Sequence, residues 1–184
     1  MEETPTKALV STILQHAEDY PWRMQDIGLL GLRLDERREF RLHVWDPTFS
    51  TVEDDPPIHD HSYDFTSTVV AGEMTNTLYE LNGSGAEYTR YRYLPSDESS
   101  RTADTVRLSG TAKSYAAGGC YQQSAHELHD SRQQPGTVSI IRCTFRDIGR
   151  LTVCRKGHNW ASAQSRSATS DEVKAMTSKA LQWF

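Results

Sequence analysis

The 184-residue sequence predicts a mainly β fold, a single domain with one helix at its N-terminus and one at its C-terminus. Three observations carry that expectation. Runs rich in Val, Thr, Tyr and Phe recur between residues 28 and 155, punctuated by Gly and polar turn residues. Period-two alternation is clearest at Phe40, Leu42 and Val44 against Arg41, His43 and Trp45. Helical spacing of apolar residues is confined to the two ends.

Leu9, Val10, Ile13, Leu14 and Ala17 repeat at helical intervals and predict an amphipathic helix over residues 6–18, interrupted by Pro21-Trp22. Residues 24–34 then approach a first strand, and the charged turn Asp35-Glu36-Arg37-Arg38-Glu39 leads into the strand beginning at Phe40. The face carrying His43 can be the outside or a ligand cavity. Residues 46–57, with the acidic Glu53-Asp54-Asp55, read as a hydrated loop. After Thr66-Ser67-Thr68-Val69-Val70 and the turn at Gly72, Met74 to Leu81 and Tyr88 to Leu94 read as two strands of a hairpin joined by Asn82-Gly83-Ser84-Gly85. Residues 95–104 are polar and Ser-rich, a surface loop by composition. Short strands are expected at 105–108, 112–115 and 137–145, and a terminal helix at 170–184. Asp171 and Glu172 suit that helix's N-terminus, although Ser170 with Val173 lacks a full capping box.

Composition limits the functional classes. A net charge of -5 supplies no basic stripe for phosphate backbones, which argues against nucleic-acid binding. No apolar run approaches the roughly 20 residues that span a bilayer, and Met1-Glu2-Glu3 is acidic where a secretory leader is basic; a cytoplasmic protein with no membrane partner is expected. Cys120, Cys143 and Cys154 lack CxxC spacing and read as reduced thiols.

The chemistry concentrates at Pro57-Ile58-His59-Asp60-His61. One intervening residue puts both imidazoles on the same face of an extended segment. Two neutral imidazoles in register are a chelating pair for Fe, Zn, Ni or Cu that needs one or two further donors. An isolated HxH pair is more often plain surface or core histidine. Pro56-Pro57 before the pair and the strand after it favour the site. A third ligand is needed, and His126 and His129, far along the chain, are the candidates; their odd separation turns them to opposite faces of a strand, so without a bulge only one of them can join.

The HxH run, the seven-residue step from Phe65 to Gly72 and a histidine far along the chain together resemble the cupin family, which places metal on histidines of a small double-stranded β-helix, or jelly-roll, barrel. Phe65 stands where that family usually has a glutamate, so the likeness is to its three-histidine branch. The Ile-His-Asp-His run, Trp45, Gly72 and the Tyr121 to His129 spacing are similar to thiol dioxygenases of the cysteine dioxygenase type. The resemblance spans residues 38–145. It implies one cupin barrel at about residues 28–155 between the two helices. It selects His129, eleven residues after Gly118, as third ligand beside His59 and His61. The Ser-x-His-x-Tyr run of those enzymes reads Ser139-Ile140-Ile141-Arg142-Cys143 here, without its His and Tyr.

Further expectations concern the pocket. Tyr63, Tyr121 and Arg142 are the candidate catalytic groups, with Arg33, His43, Trp45, Phe65, Tyr79 and Gln123 as candidate substrate-binding residues. Each has a plainer alternative: Arg33, a surface arginine; Trp45 and Phe65, packing; Tyr79, barrel wall; Tyr63 with its neighbour Asp64, a metal-side group or a solvent-facing one. The cofactor expected is one divalent metal ion, Fe(II) before Zn, Ni or Cu. The leading function is a mononuclear non-haem Fe(II) dioxygenase, using O2 on a small polar or amino-acid-derived molecule of the kind found in secondary metabolism. A redox-neutral Zn or Ni enzyme (isomerase, cyclase or hydrolytic) and a non-catalytic small-molecule-binding module stand as alternatives. The resemblance also leaves a homodimer open, through sheet edges that the terminal helices could instead cover.

Overall fold

Alternating side chains sort this chain into layers. In the computed structural model, which describes residues 7–52, 57–94, 97–145, 151–156 and 165–184, the strands form two antiparallel sheets. The first has seven strands in the order β12 (Ser165–Ser167), β1 (Arg23–Gln25), β2 (Ile27–Arg33), β3 (Phe40–Ser50), β10 (Thr137–Phe145), β5 (Tyr63–Ala71) and β8 (Cys120–Gln123). The second has five, β11 (Leu151–Arg155), β4 (Ile58–His59), β9 (Leu128–Gln133), β6 (Glu73–Leu94) and β7 (Asp97–Ala116). The mainly β expectation holds, and the acidic stretch Glu53-Asp54-Asp55 lies outside the described residues.

One face of the larger sheet is apolar. Leu30, Leu32, Leu42, Val44, Val138 and Ile140 are buried there against α1 (Lys7–Gln15) and α2 (Ser170–Leu181), which contribute Val10, Leu14, Val173 and Met176. Each such aliphatic side chain stabilises the fold by about 1.5–3 kcal/mol. Asp46 is the polar exception. Fully buried, it accepts from the backbone N–H and hydroxyl of Thr48 and from Lys179 Nζ at 2.6 Å, tying α2 to β3. The helix begins at Ser170 as expected, but its cap is the preceding residue: Thr169 Oγ1 accepts from the Glu172 backbone N–H while the Glu172 carboxylate accepts from the Thr169 N–H, a full capping box.

The opposite face meets the smaller sheet. Leu29, Trp45, Phe65, Val69 and Cys143 pack there with Met74 of β6 and Tyr121 of β8. Gly72, with φ 77°, makes the turn between β5 and β6; a Cβ there would come within 2.6 Å of Thr137 Oγ1.

The expected hairpin at Asn82–Gly85 is instead a bulge within one long strand. Leu81 and Ala86 both pair with Leu108 of β7, so residues 82–85 loop out and β6 bends without reversing. A Cβ at Gly85 would lie 2.2 Å from the Leu108 carbonyl oxygen, and φ there is +88°, so the loop needs glycine. The bend lets the first half of β6 pair with β9 and the second half with β11, which in turn pairs with β4. Around Ile58, Leu108, Leu128 and Cys154 the sheet therefore closes on itself. The segment read as a loop over 95–104 is strand from Asp97 onward because it pairs with this second half. Among the described residues no helix is long and apolar enough to cross a membrane.

Candidate metal centre

Backbone pairing puts the first two imidazoles together. His59 and His129 are direct cross-strand partners of β4 and β9. His61 follows two residues after His59. The intervening Asp60 points the other way and is anchored to Thr152, whose N–H donates to Asp60 Oδ1 at 2.7 Å. Burial pushes the Asp60 carboxyl pKa up, against the pull of its Thr152 hydrogen bonds and of His126. The result is a cluster in which one nitrogen from each of His59, His61 and His129 lies within 4.8 Å of the others. His61 Nε2 and His129 Nε2 are 3.0 Å apart.

Neighbours fix the rings. The Pro57 carbonyl accepts from His59 Nδ1 at 2.9 Å, and Asn76 Oδ1 accepts from His129 Nδ1 at 2.8 Å. Asn76 is itself oriented, since its Oδ1 also accepts from Ser131 Oγ and its Nδ2 donates to Gln123 Oε1. With protons held on Nδ1, the Nε2 lone pairs of His59 and His129 are left for the centre. Burial pulls the pKa of all three rings down, those of His61 and His129 well below the ordinary value, and the closeness of the other imidazoles adds to it for His61 and His129. Three neutral donors at this spacing suit one transition-metal ion.

The surrounding wall comes from the larger sheet. Phe65 presses on His61 and His129, with ring centroids 5.3 Å and 5.8 Å away, in the place that the resemblance gives to a carboxylate. Tyr63 lies 4.8 Å from His61, centroid to centroid, and its hydroxyl accepts from Arg41 Nη1 at 3.2 Å. Burial raises the Tyr63 phenol pKa. The phenol therefore keeps its proton.

The other expected site residues scatter by strand parity. His43 is buried on the triad side, edge-on to Trp45, whose indole N–H donates to Ser139. Tyr121 sits behind Phe65, at 6.1 Å between centroids. Gln123 reaches the centre only through Asn76 and His129. Tyr79 does not reach it: on β6 it faces away from Asn76, and its hydroxyl donates to Asp130 at 2.9 Å. Arg142 does not either. It shares parity with Val138 and Ile140, and its guanidinium lies over the Phe40 ring on the far side of the sheet. Arg33 is exposed beside Arg41, its cross-strand partner. Asp64 accepts from the Ala125 backbone N–H, holding the turn before β9. His126, at φ 69°, is in that turn, 3.5 Å from Asp60 Oδ2 and apart from the cluster.

Two residues that the sequence reading passed over matter here. Asn76 gave no signal beyond its even spacing from Met74 on an interior face. Arg41 was signalled only by sharing the face of His43. No protein-family model matches the chain, and no curated protein matches it, so the chemistry of the centre rests on its own residues.

Proposed function

We propose that this chain is a mononuclear metal enzyme of the three-histidine cupin type, an Fe(II)-dependent dioxygenase acting on a small polar or amino-acid-derived molecule. The observation that carries the reading is the convergence of three neutral imidazoles, two of them with Nδ1–H groups committed to fixed carbonyl oxygens. The 3.0 Å between His61 Nε2 and His129 Nε2 supports it, being the chord between two donors at about 2.1 Å from one ion and at about a right angle. The strand order adds support: β3-β10-β5-β8 opposite β4-β9-β6-β7 is the double-sheet connectivity of a jelly roll, the architecture of cupins.

A divalent ion held by three uncharged ligands would keep its full charge and open positions for an anionic substrate and O2. The chain's own residues prepare the place. Asn76 and the Pro57 carbonyl hold two rings in the donor tautomer, and Phe65 keeps water from the back of His61 and His129. Tyr63, protonated and braced by Arg41, offers a hydroxyl proton to an oxygen of a bound molecule. Ile141 shares strand parity with Ser139 and Cys143, so an aliphatic side chain and a buried thiol that burial keeps protonated take the positions at which the resemblance to thiol dioxygenases places His and Tyr. Proton transfer here falls to Tyr63.

The test is elemental analysis of protein purified without chelators, followed by O2 uptake over a panel of small polar and amino-acid-derived molecules. Bound iron and Fe(II)-dependent uptake support the reading. Full turnover without O2 removes the dioxygenase assignment, and protein free of any transition metal removes the metal centre.

A further inference from the structure

A neutral imidazole can carry its proton on either nitrogen, and only one choice leaves His129 Nε2 a lone pair for the centre. The neighbour that decides it is Asn76, whose Oδ1 accepts from His129 Nδ1 at 2.8 Å. An Asn76 amide turned end for end would present its NH2 group instead. The proton would then sit on Nε2, which faces His61 Nε2 at 3.0 Å. The tautomer of His129 therefore depends on what holds the Asn76 amide in one sense.

Ser131 cannot hold it. Its hydroxyl lies 3.0 Å from Asn76 Oδ1 and can rotate to donate or to accept, so it fits either orientation of the amide. Gln123 can. Its Oε1 accepts from Asn76 Nδ2 at 3.3 Å, and its Nε2 donates to the Glu127 backbone carbonyl at 3.2 Å. A carbonyl oxygen only accepts, so the end of Gln123 toward Glu127 has to be the NH2 group and the end toward Asn76 the oxygen. Gln123, Asn76 and His129 are all buried, which denies a reversed amide the water that would satisfy it. The Glu127 carbonyl is in turn held by a tight turn: the Glu127 N–H donates to the Ser124 carbonyl, the Glu127 carboxylate accepts from the Ser124 N–H at 2.6 Å, and Asp64 accepts from the Ala125 N–H.

We propose that Gln123 is a positioning residue that sets the His129 tautomer through Asn76, with the Glu127 carbonyl as the acceptor that gives the chain of amides its direction. The consequence for metal binding rests on the function proposed above. The tautomer itself is a property of the metal-free chain.

The experiment uses the full chain, stripped with chelator and labelled with nitrogen-15 at histidine, its ring nitrogens read by NMR at neutral pH. The His129 signals are assigned by their loss in His129→Gln, and Zn(II) affinity is measured in parallel by chelator competition. In the parent protein His129 should carry its proton on Nδ1 alone. Gln123→Met, similar in size but without the acceptor oxygen, should populate both tautomers and weaken Zn(II) binding about ten-fold or more. Gln123→Glu should keep the single tautomer, because a carboxyl group, ionised or neutral, still offers an oxygen to Asn76. Ser131→Ala should keep it as well. A parent protein with the proton on Nε2 overturns the proposal, as does Gln123→Met with Nδ1–H alone, or a mixture of tautomers in Gln123→Glu or Ser131→Ala. The parent and Gln123→Glu can overturn it even if Gln123→Met does not fold. Tautomers that follow the expected pattern in a chain that binds no Zn(II) support the role of Gln123 and remove the metal reading instead.

Discussion

The two faces of the seven-stranded sheet are built from the same strands one residue out of step, and they differ in almost every physical respect. On β3, Leu42 and Val44 enter a helix-covered apolar layer, while Arg41, His43 and Trp45 enter the layer that reaches the histidine triad. The first layer gains from burial and makes few specific demands. The second buries imidazoles, an indole and phenols, and spends some of that gain on keeping polar groups dry and neutral. The contrast locates stability on one side of a single sheet and chemistry on the other, and it can be broken experimentally.

Acid should give the largest effect, and only through the polar face. Burial, with Arg41 beside it, lowers the folded His43 pKa to about 3, whereas an unfolded histidine titrates near about 6.5. Between those values the unfolded chain binds more protons, so stability is complete above pH ~6.5 and is lost as pH falls toward ~3, by about 1.4 kcal/mol per pH unit for this one group. The lowered triad pKa values act in the same direction. Urea midpoints of chelated protein between pH 7 and 5 should fall steeply, and His43→Gln should flatten the slope. A flat profile in the parent protein would mean that this face is wetter than its geometry states.

Leu42→Ala tests the other side. With its side chain fully buried beneath the helices, the truncation should cost about 2–5 kcal/mol in urea unfolding. Metal bound per folded molecule should not change. A loss of metal in step with stability would show that the faces are coupled rather than merely adjacent.

Asn76→Leu sharpens the comparison within the polar layer. It removes the acceptor that holds His129 Nδ1–H, so transition-metal affinity, measured by chelator competition, should fall about 10–100-fold. Stability of the chelated protein should fall as well, by an amount comparable to Leu42→Ala, because the buried His129 Nδ1–H and Gln123 Oε1 each lose a hydrogen-bond partner.

The apolar layer was legible in the sequence and the polar layer only in part. Period-two alternation at Phe40–Trp45 and helical spacing at Leu9–Ala17 report burial directly, because burial is what sets them. HxH spacing reported His59 and His61 for the same reason, two residues on one face. His129 over His126 could not be read from parity alone; it depends on the pairing of β9 with β4. Arg142 and Tyr79 were misplaced because strand phase was not carried through β10 and β6. The Asn82–Gly85 segment has turn chemistry, and only the partner strand decides whether such a turn reverses the chain or bulges it. Asn76 and Arg41 act through partners remote in sequence, which no local pattern encodes.

The smallest expected effect concerns how the helices are held to the apolar face. Thr169→Ala deletes the hydroxyl that accepts from the Glu172 N–H and should cost about 1 kcal/mol, read as a lowered urea midpoint with an unchanged slope. The Arg166 guanidinium beside Glu172, helped by Thr169, holds that carboxyl down to about 2, so the Glu172 half of the box stays ionised in neutral solution and can still accept from the Thr169 N–H in the variant. At the other end Lys179 remains clamped to buried Asp46. If the loss reaches the size expected for Leu42→Ala, α2 must be nucleated by its cap and not by the layer beneath it. The helix-covered face would then owe its order to polar groups at its rim, much as the triad face does.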